Sequence, residues 1–343
     1  MKRTAIIFEK PYTVTLKKET LPAPEDREVL VKTKFSAISA GSELLVYRGQ
    51  IPPGLPADTT IKALSKPFHY PLKYGYVSVG EVVAVGPDIN RQWQGRRIFS
   101  FQPHESHYTA EIDDIMTIPA RLDMLDALFL PNMETAVNFI MDGRPVIGEH
   151  VCIFGQGVVG LLTTALLAQF PLHQLVTFDR YATRRRASLE VGADSAWDPD
   201  DPAVTDNSAG TSRLDSAAGP ADLVYELSGN PQALNQAIQM AGFGARIVLG
   251  SWYGNQAAQL NLGGQFHRNR IRLISSQVST LPPQFSARWT NKRRIDIAWK
   301  MIRKLNPTPL ITHQFPLSRA KEAYELLDKN PQEAIQVIFT YEE

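Results

Sequence analysis

The segment Gly155-Gln156-Gly157-Val158-Val159-Gly160 constrains the fold of this chain more than any other. It follows an apolar strand candidate at 150–154 (HVCIF) and opens an apolar helical run at 158–170. In that setting the first glycine permits a tight turn and the second lets backbone N–H groups approach a pyrophosphate. The third lets the helix pack close to the strand. The helix N-terminus adds unpaired donors and a partial positive charge. A second strand candidate, 175–178, leads into Asp179, 19 residues beyond Gly160. A carboxylate there accepts both ribose hydroxyls of NAD and repels the 2′-phosphate of NADP. Further strands at 222–227, 246–250 and 272–276 alternate with helices, so the region from about residue 131 predicts a parallel, doubly wound α/β sheet. The competing reading makes the glycines a structural turn and Asp179 a cap for the next helix. Arg180 and Arg184 lie within reach of a phosphate, while Arg185 and Arg186 read as a solvated helix face.

The first 130 residues differ in texture. The stretches 28–36 (EVLVKTKFS) and 76–85 (YVSVGEVVAV) are rich in β-branched residues, and three prolines make 50–60 an irregular loop. The polar stretch 202–220 reads as a surface loop. After Gln277, helices are expected at 295–305 and 319–329 and a last strand at 337–341. The 36 Lys+Arg against 35 Asp+Glu remove the electrostatic reason to expect a nucleic-acid or anionic-membrane partner. The single cysteine, Cys152, excludes an intrachain disulfide and a Cys-rich structural zinc site, and reads as inert packing in the first strand of the sheet. A soluble, cytoplasmic protein acting on a small molecule is expected.

The residues resemble the medium-chain dehydrogenase/reductase superfamily of zinc alcohol dehydrogenases and quinone reductases. The marks are Ser39-Ala40-Gly41-Ser42-Glu43, the segment 75–86 (GYVSVGEVVAVG) and the late nucleotide-binding region. The segments 99–107 (FSFQPHESH), 132–138 (NMETAVN) and 250–254 (GSWYG) resemble a bacterial, alcohol-dehydrogenase-like branch. The resemblance implies a GroES-like β-rich catalytic domain, 1–131 and 280–343, with a Rossmann dinucleotide-binding domain, 132–279, inserted into it. It places the active site in the cleft between the domains. It also implies a homodimer or homotetramer through edge-strand pairing of the cofactor domains. Gly155, Gly157, Val158, Val159, Gly160, Asp179, Arg180 and Arg184 form the expected cofactor set, joined by Thr135, Ser228, Gly229, Gly250, Trp252, Ser276 and Gln277.

The departures are at the metal. Zinc-dependent members carry a cysteine where this chain has Ala40, a Gly-His-Glu where it has Gly75-Tyr76-Val77, and a third ligand about where it has Pro131. None of these side chains is a normal zinc donor, so no metal is expected at the inherited position. A rebuilt site from His104, His107 and Glu134 is the alternative. Without zinc, the charge that builds on a carbonyl oxygen must meet oriented donors. Tyr76 takes over a ligand position, and Ser42 matches the hydroxyl that passes protons in alcohol dehydrogenases. Leu45 replaces the relay histidine downstream, which leaves His104 and Glu134 as further catalytic candidates. The competing reading of Tyr76 is an aromatic filling the empty metal cavity. These residues point to a zinc-independent NAD(H) oxidoreductase of alcohols and carbonyls. The alternatives are an NADPH-dependent enoyl or quinone reductase and a dinucleotide-binding protein without turnover.

Overall fold

The structure, a computed structural model, describes residues 1–52, 54, 61–65, 67–201 and 219–341. Most of the loop expected at 50–60 and nearly all of that at 202–220 lie outside the described residues.

The chain starts with an antiparallel hairpin, β1 (Lys2–Lys10) and β2 (Thr13–Thr20), followed by β3 (Glu28–Ala37) and helix α1 (Ala40–Arg48). Then come β4 (Ser78–Val85), β5 (Arg97–Ser100), β6 (His107–Glu111), β7 (Ile115–Thr117), α2 (Met124–Ala127) and α3 (Leu130–Gly143). The alternating part runs β8 (His150–Phe154), α4 (Val158–Leu167), β9 (Gln174–Phe178), α5 (Ala182–Glu190), β10 (Ser195–Trp197), β11 (Ala221–Glu226), α6 (Ala233–Met240), β12 (Ala241–Leu249) and β13 (Arg272–Ser275). Helix α7 (Asn291–Leu305), β14 (Ile311–Pro316), α8 (Ala320–Lys329) and β15 (Gln336–Thr340) complete it.

Two compact units result: Met1–Pro131 with Asn306–Glu343, and Asn132–Leu305. In the first, β15 pairs with β3 (Phe339 opposite Ser36), so the chain's return closes the sheet β14-β15-β3-β4-β5-β7, with β6 also on β3. Its core gathers Phe8, Tyr47, Tyr324 and Phe339 around α1 and α8. The second unit is a parallel sheet of order β10-β9-β8-β11-β12-β13. Its strands β8, β9 and β11 are almost wholly buried, as continuous apolar runs covered on both faces should be. Cys152 lies inside β8, where burial pushes its thiol up to about 12.

The second junction differs from the sequence expectation of 279/280, because residues 280–305 group with the cofactor sheet. The reason is Arg294 on α7. Its buried guanidinium donates to Glu134 Oε1 (3.0 Å), Asn138 Oδ1 (2.7 Å) and the carbonyls of Val278 and Thr280, tying α7 to α3. Among the described residues, no helix is long and apolar enough to cross a membrane.

Candidate active site

In the first unit, the site is built on the turn between β3 and α1. Ser39 stands at the N-cap of α1, but its hydroxyl does not cap the helix. Instead Glu43, one turn on, reaches back and accepts the Ser39 amide at Oε1 (2.7 Å), much as a capping-box carboxylate does. That leaves the Ser39 hydroxyl to meet the hydroxyl of Tyr76, which also lies 3.1 Å from Ser42 Oγ. Three hydroxyls therefore converge where the resemblance puts a metal. The Tyr76 ring is half-buried against the first-unit core and edge-on to Tyr74, so packing and hydroxyl placement coexist.

Beneath this cluster lies a sealed polar network. Glu43 and His104 are fully buried. Glu43 Oε2 accepts from the Tyr324 hydroxyl (2.6 Å) and lies 2.9 Å from His104 Nε2. His104 Nδ1 is 2.7 Å from Ser36 Oγ, which in turn meets the Tyr341 hydroxyl at 2.7 Å. Burial, and then the neighbouring Glu43, drives the Tyr324 phenol well above its ordinary range. Gly75 has a φ of +109°, and a Cβ there would sit 2.6 Å from His104 Nε2. Only glycine lets the segment carrying Tyr76, just ahead of β4, pass this close to the imidazole. His107 is half-buried at the start of β6, and burial lowers its pKa.

In the second unit, β8 delivers its glycine-rich turn to the C-terminal edge of the sheet. Gly155 has φ +92°, and a Cβ there would strike the backbone of Leu227 and Ser228; a Cβ on Gly160 would lie 2.0 Å from the Gly155 carbonyl. The space beside Gly157 is open, and Val158 and Val159 form the first helical residues of α4. Asp179 follows β9 and is buried. Its Oδ2 accepts the Gln156 amide (2.7 Å) and its Oδ1 the Tyr181 amide (2.9 Å). It thus ties the glycine-rich turn to the residue just ahead of α5. Arg180 pairs with Asp200, and Arg184 lies 4.0 Å from Asp179 over the Tyr181 ring. Arg185, expected on a solvated face, instead donates to the Asp179 carbonyl and to Asp198. Arg186 is exposed.

The other expected cofactor residues follow β11, β12 and β13 at the same edge. Ser228 and Gly229 donate backbone amides to Glu226 Oε1 (2.9 Å) and Ser251 Oγ (2.8 Å). The Phe139 ring fills the space where Gly250 would carry a Cβ. Trp252 is partly exposed, at 40%. Ser276 Oγ donates to Asp142 Oδ2 (2.5 Å), while the Gln277 side chain accepts the Ser279 amide. Thr135 is half-buried on α3. Its neighbour Glu134 is buried and committed to Arg294; burial raises its pKa and the guanidinium opposes that rise. An open turn at Gly157, an unobstructed helix start and a carboxylate after the second strand fit a dinucleotide.

Three participants escaped the sequence reading. Ser39 looked like a neighbour of the lost ligand. Glu226, fully buried, accepts the hydroxyls of Ser228 and Tyr253; a charged residue inside an apolar parallel strand was the signal. Arg294 shares the spacing of Ala298 and Ile302, a cation on the buried stripe of its helix.

The family described as zinc-binding dehydrogenase matches residues 158–291. A D-guloside 3-dehydrogenase of Escherichia coli K12 is 22% identical over 92% of this chain and 93% of its own length. An alcohol dehydrogenase of E. coli CFT073, complexed with NADH, superposes with a TM-score of 0.78 at 20% identity over 99% of both chains. A zinc-binding dehydrogenase of Sinorhizobium meliloti 1021 bound to NADP gives 0.76 at 18% over 99% of both. Zinc is therefore a group to test against these residues. The side chains converging at the turn are hydroxyls, and both nitrogens of His104 already have protein partners. Among the described residues, no three or more His, Cys, Asp or Glu are grouped to hold a metal ion. This donor set does not fit zinc. Over nearly its whole length the chain is thus similar in sequence to dehydrogenases and shares their fold, in line with the resemblance to the medium-chain dehydrogenase/reductase superfamily.

Proposed function

We propose that the chain is a zinc-independent, NAD(H)-preferring oxidoreductase that interconverts an alcohol and a carbonyl compound. The observation that carries this reading is the convergence of the Tyr76, Ser39 and Ser42 hydroxyls at the turn where zinc-dependent relatives hold their metal. A bound nicotinamide dinucleotide supplies or accepts the hydride. Backbone amides at Gly157 and the start of α4 would hold its pyrophosphate, in a turn that Gly155 and Gly160 make possible, and Asp179 its adenine-side ribose. In reduction, Tyr76 and Ser42 donate hydrogen bonds to the carbonyl oxygen. As the carbon gains hydride and the C=O π bond breaks, Tyr76 passes its proton to that oxygen, and solvent restores it. In oxidation the same groups take the proton back. The protein acts as a homodimer or homotetramer, and the edge strand β13 supports pairing with a second copy, because Leu273 on it is exposed.

The test is turnover of the full chain with NADH and NADPH against alcohols, polyols, ketones and enones. Tyr76→Phe is expected to lower kcat by about 10²–10³-fold, the usual size of a lost proton donor, with NADH affinity retained. Full turnover by Tyr76→Phe would return this residue to a packing role. Faster reduction of enones with NADPH would replace the carbonyl reading.

A further inference from the structure

We propose that Glu43, clamped by His104 and Tyr324, is a positioning residue that acts through Ser39 to aim the Tyr76 proton. The inference rests on the hydride-transfer reading and deepens it. Tyr76 has one hydroxyl proton and two serine neighbours. If the proton pointed at Ser39, it would be turned away from Ser42 and from any substrate oxygen. On the hydride-transfer reading, the Ser39 hydroxyl is the donor and Tyr76 the acceptor.

Glu43 holds the geometry for it. By accepting the Ser39 amide it fixes the backbone from which Ser39 Oγ meets Tyr76. The carboxylate is fully buried, and three donors converge on it: the Ser39 amide, the Tyr324 hydroxyl and His104 Nε2. The network is satisfied throughout when every proton points the same way. Tyr341 then donates to Ser36, Ser36 to His104 Nδ1, and His104 Nε2–H to Glu43. Gly75 lets the imidazole lie against the backbone of the residue that precedes Tyr76. When Tyr76 gives up its proton, its oxygen gains charge and the Ser39 hydrogen bond strengthens. The contact is tighter in the transition state than before it, which is the condition for accelerating the step.

Ser39→Ala removes this donor with little change in volume, and Glu43→Gln keeps an acceptor for the Ser39 amide while mismatching His104 and Tyr324. The full chain with NADH is assayed for kcat, KM and NADH affinity. Its tyrosines are followed by ¹³Cζ NMR, with the Tyr76 signal assigned by its loss in Tyr76→Phe. Both variants are expected to lower kcat about tenfold or more, as for a hydrogen bond to a group gaining charge, and to move the Tyr76 signal. KM and NADH affinity should stay within about twofold. Glu43→Asp should recover part of the loss. Wild-type kcat and an unmoved Tyr76 signal in Ser39→Ala would overturn the proposal, as would a Glu43→Gln chain that is folded and unchanged. Should Glu43→Gln not fold, Ser39→Ala decides alone. A wild-type chain with no turnover counts against the hydride-transfer reading, whereas the Tyr76 signal still reports the coupling.

Discussion

Asp179 holds two backbone amides from different elements, that of Gln156 in the glycine-rich turn and that of Tyr181 ahead of α5. Its lone pairs outnumber those two donors, so it can still accept ribose hydroxyls. Two of the cations nearby are matched by other acids, Arg180 by Asp200 and Arg185 by Asp198, and Arg184 lies 4.0 Å from Asp179 itself. A 2′-phosphate would meet the Asp179 charge and compete with these carboxylates for the arginines. Asp179→Ala should therefore weaken NADH binding about tenfold while leaving NADPH binding nearly unchanged, the shift expected from losing one or two charge-assisted hydrogen bonds. Fluorescence titration with both cofactors measures it. An unaltered NADH/NADPH ratio would remove the basis for NAD preference.

At the scale of elements, the informative piece is α7. Arg294 falls in line with Ala298 and Ile302, so the helix presents a guanidinium within an otherwise apolar stripe. It receives Glu134 from α3, together with Asn138 and the carbonyls of Val278 and Thr280. Arg294→Met preserves bulk but strands a buried carboxylate and several acceptors. It should cost about 3 kcal/mol and lower Tm by roughly 6–12 °C, read by calorimetry. Adding Glu134→Gln should return part of that loss, because the stranded charge is gone.

This element also marks the limit of what sequence conveyed. The sheet strands were legible because burial on both faces leaves unbroken apolar runs, and the glycine turn because its three constraints are local. The partner of Arg294 lies 160 residues away, and no periodicity encodes such a pairing, so the grouping of residues 280–305 with the cofactor sheet is not legible in the sequence. The fates of the catalytic candidates divide in the same way. Tyr76 and Ser42 could be named from their positions, but Ser39 became visible only when the segment ahead of β4 was laid beside the turn. Glu134, a reasonable catalytic carboxylate by sequence, is held in the structural ion pair with Arg294.

At the scale of the whole molecule, both chain ends build the first unit, and the second is an insertion whose sheet ends on one side at β13. Leu273 on β13 and Phe243 at the start of β12 are exposed, Phe243 at 75%. Such surface next to an unpaired strand edge is suited to a second copy. Light scattering is expected to find a dimer or tetramer, and Leu273→Glu to shift it toward the monomer with NADH binding intact. An assembly unaffected by this change would place the contact elsewhere.

The lone thiol has a practical consequence. Cys152 is enclosed in β8, and its proton is held so tightly that little thiolate exists near neutral pH. To a maleimide reagent the native chain is effectively blank. One cysteine engineered into each compact unit would give two addressable positions with no background to remove, so dye pairs could report on the spacing of the units as cofactor binds.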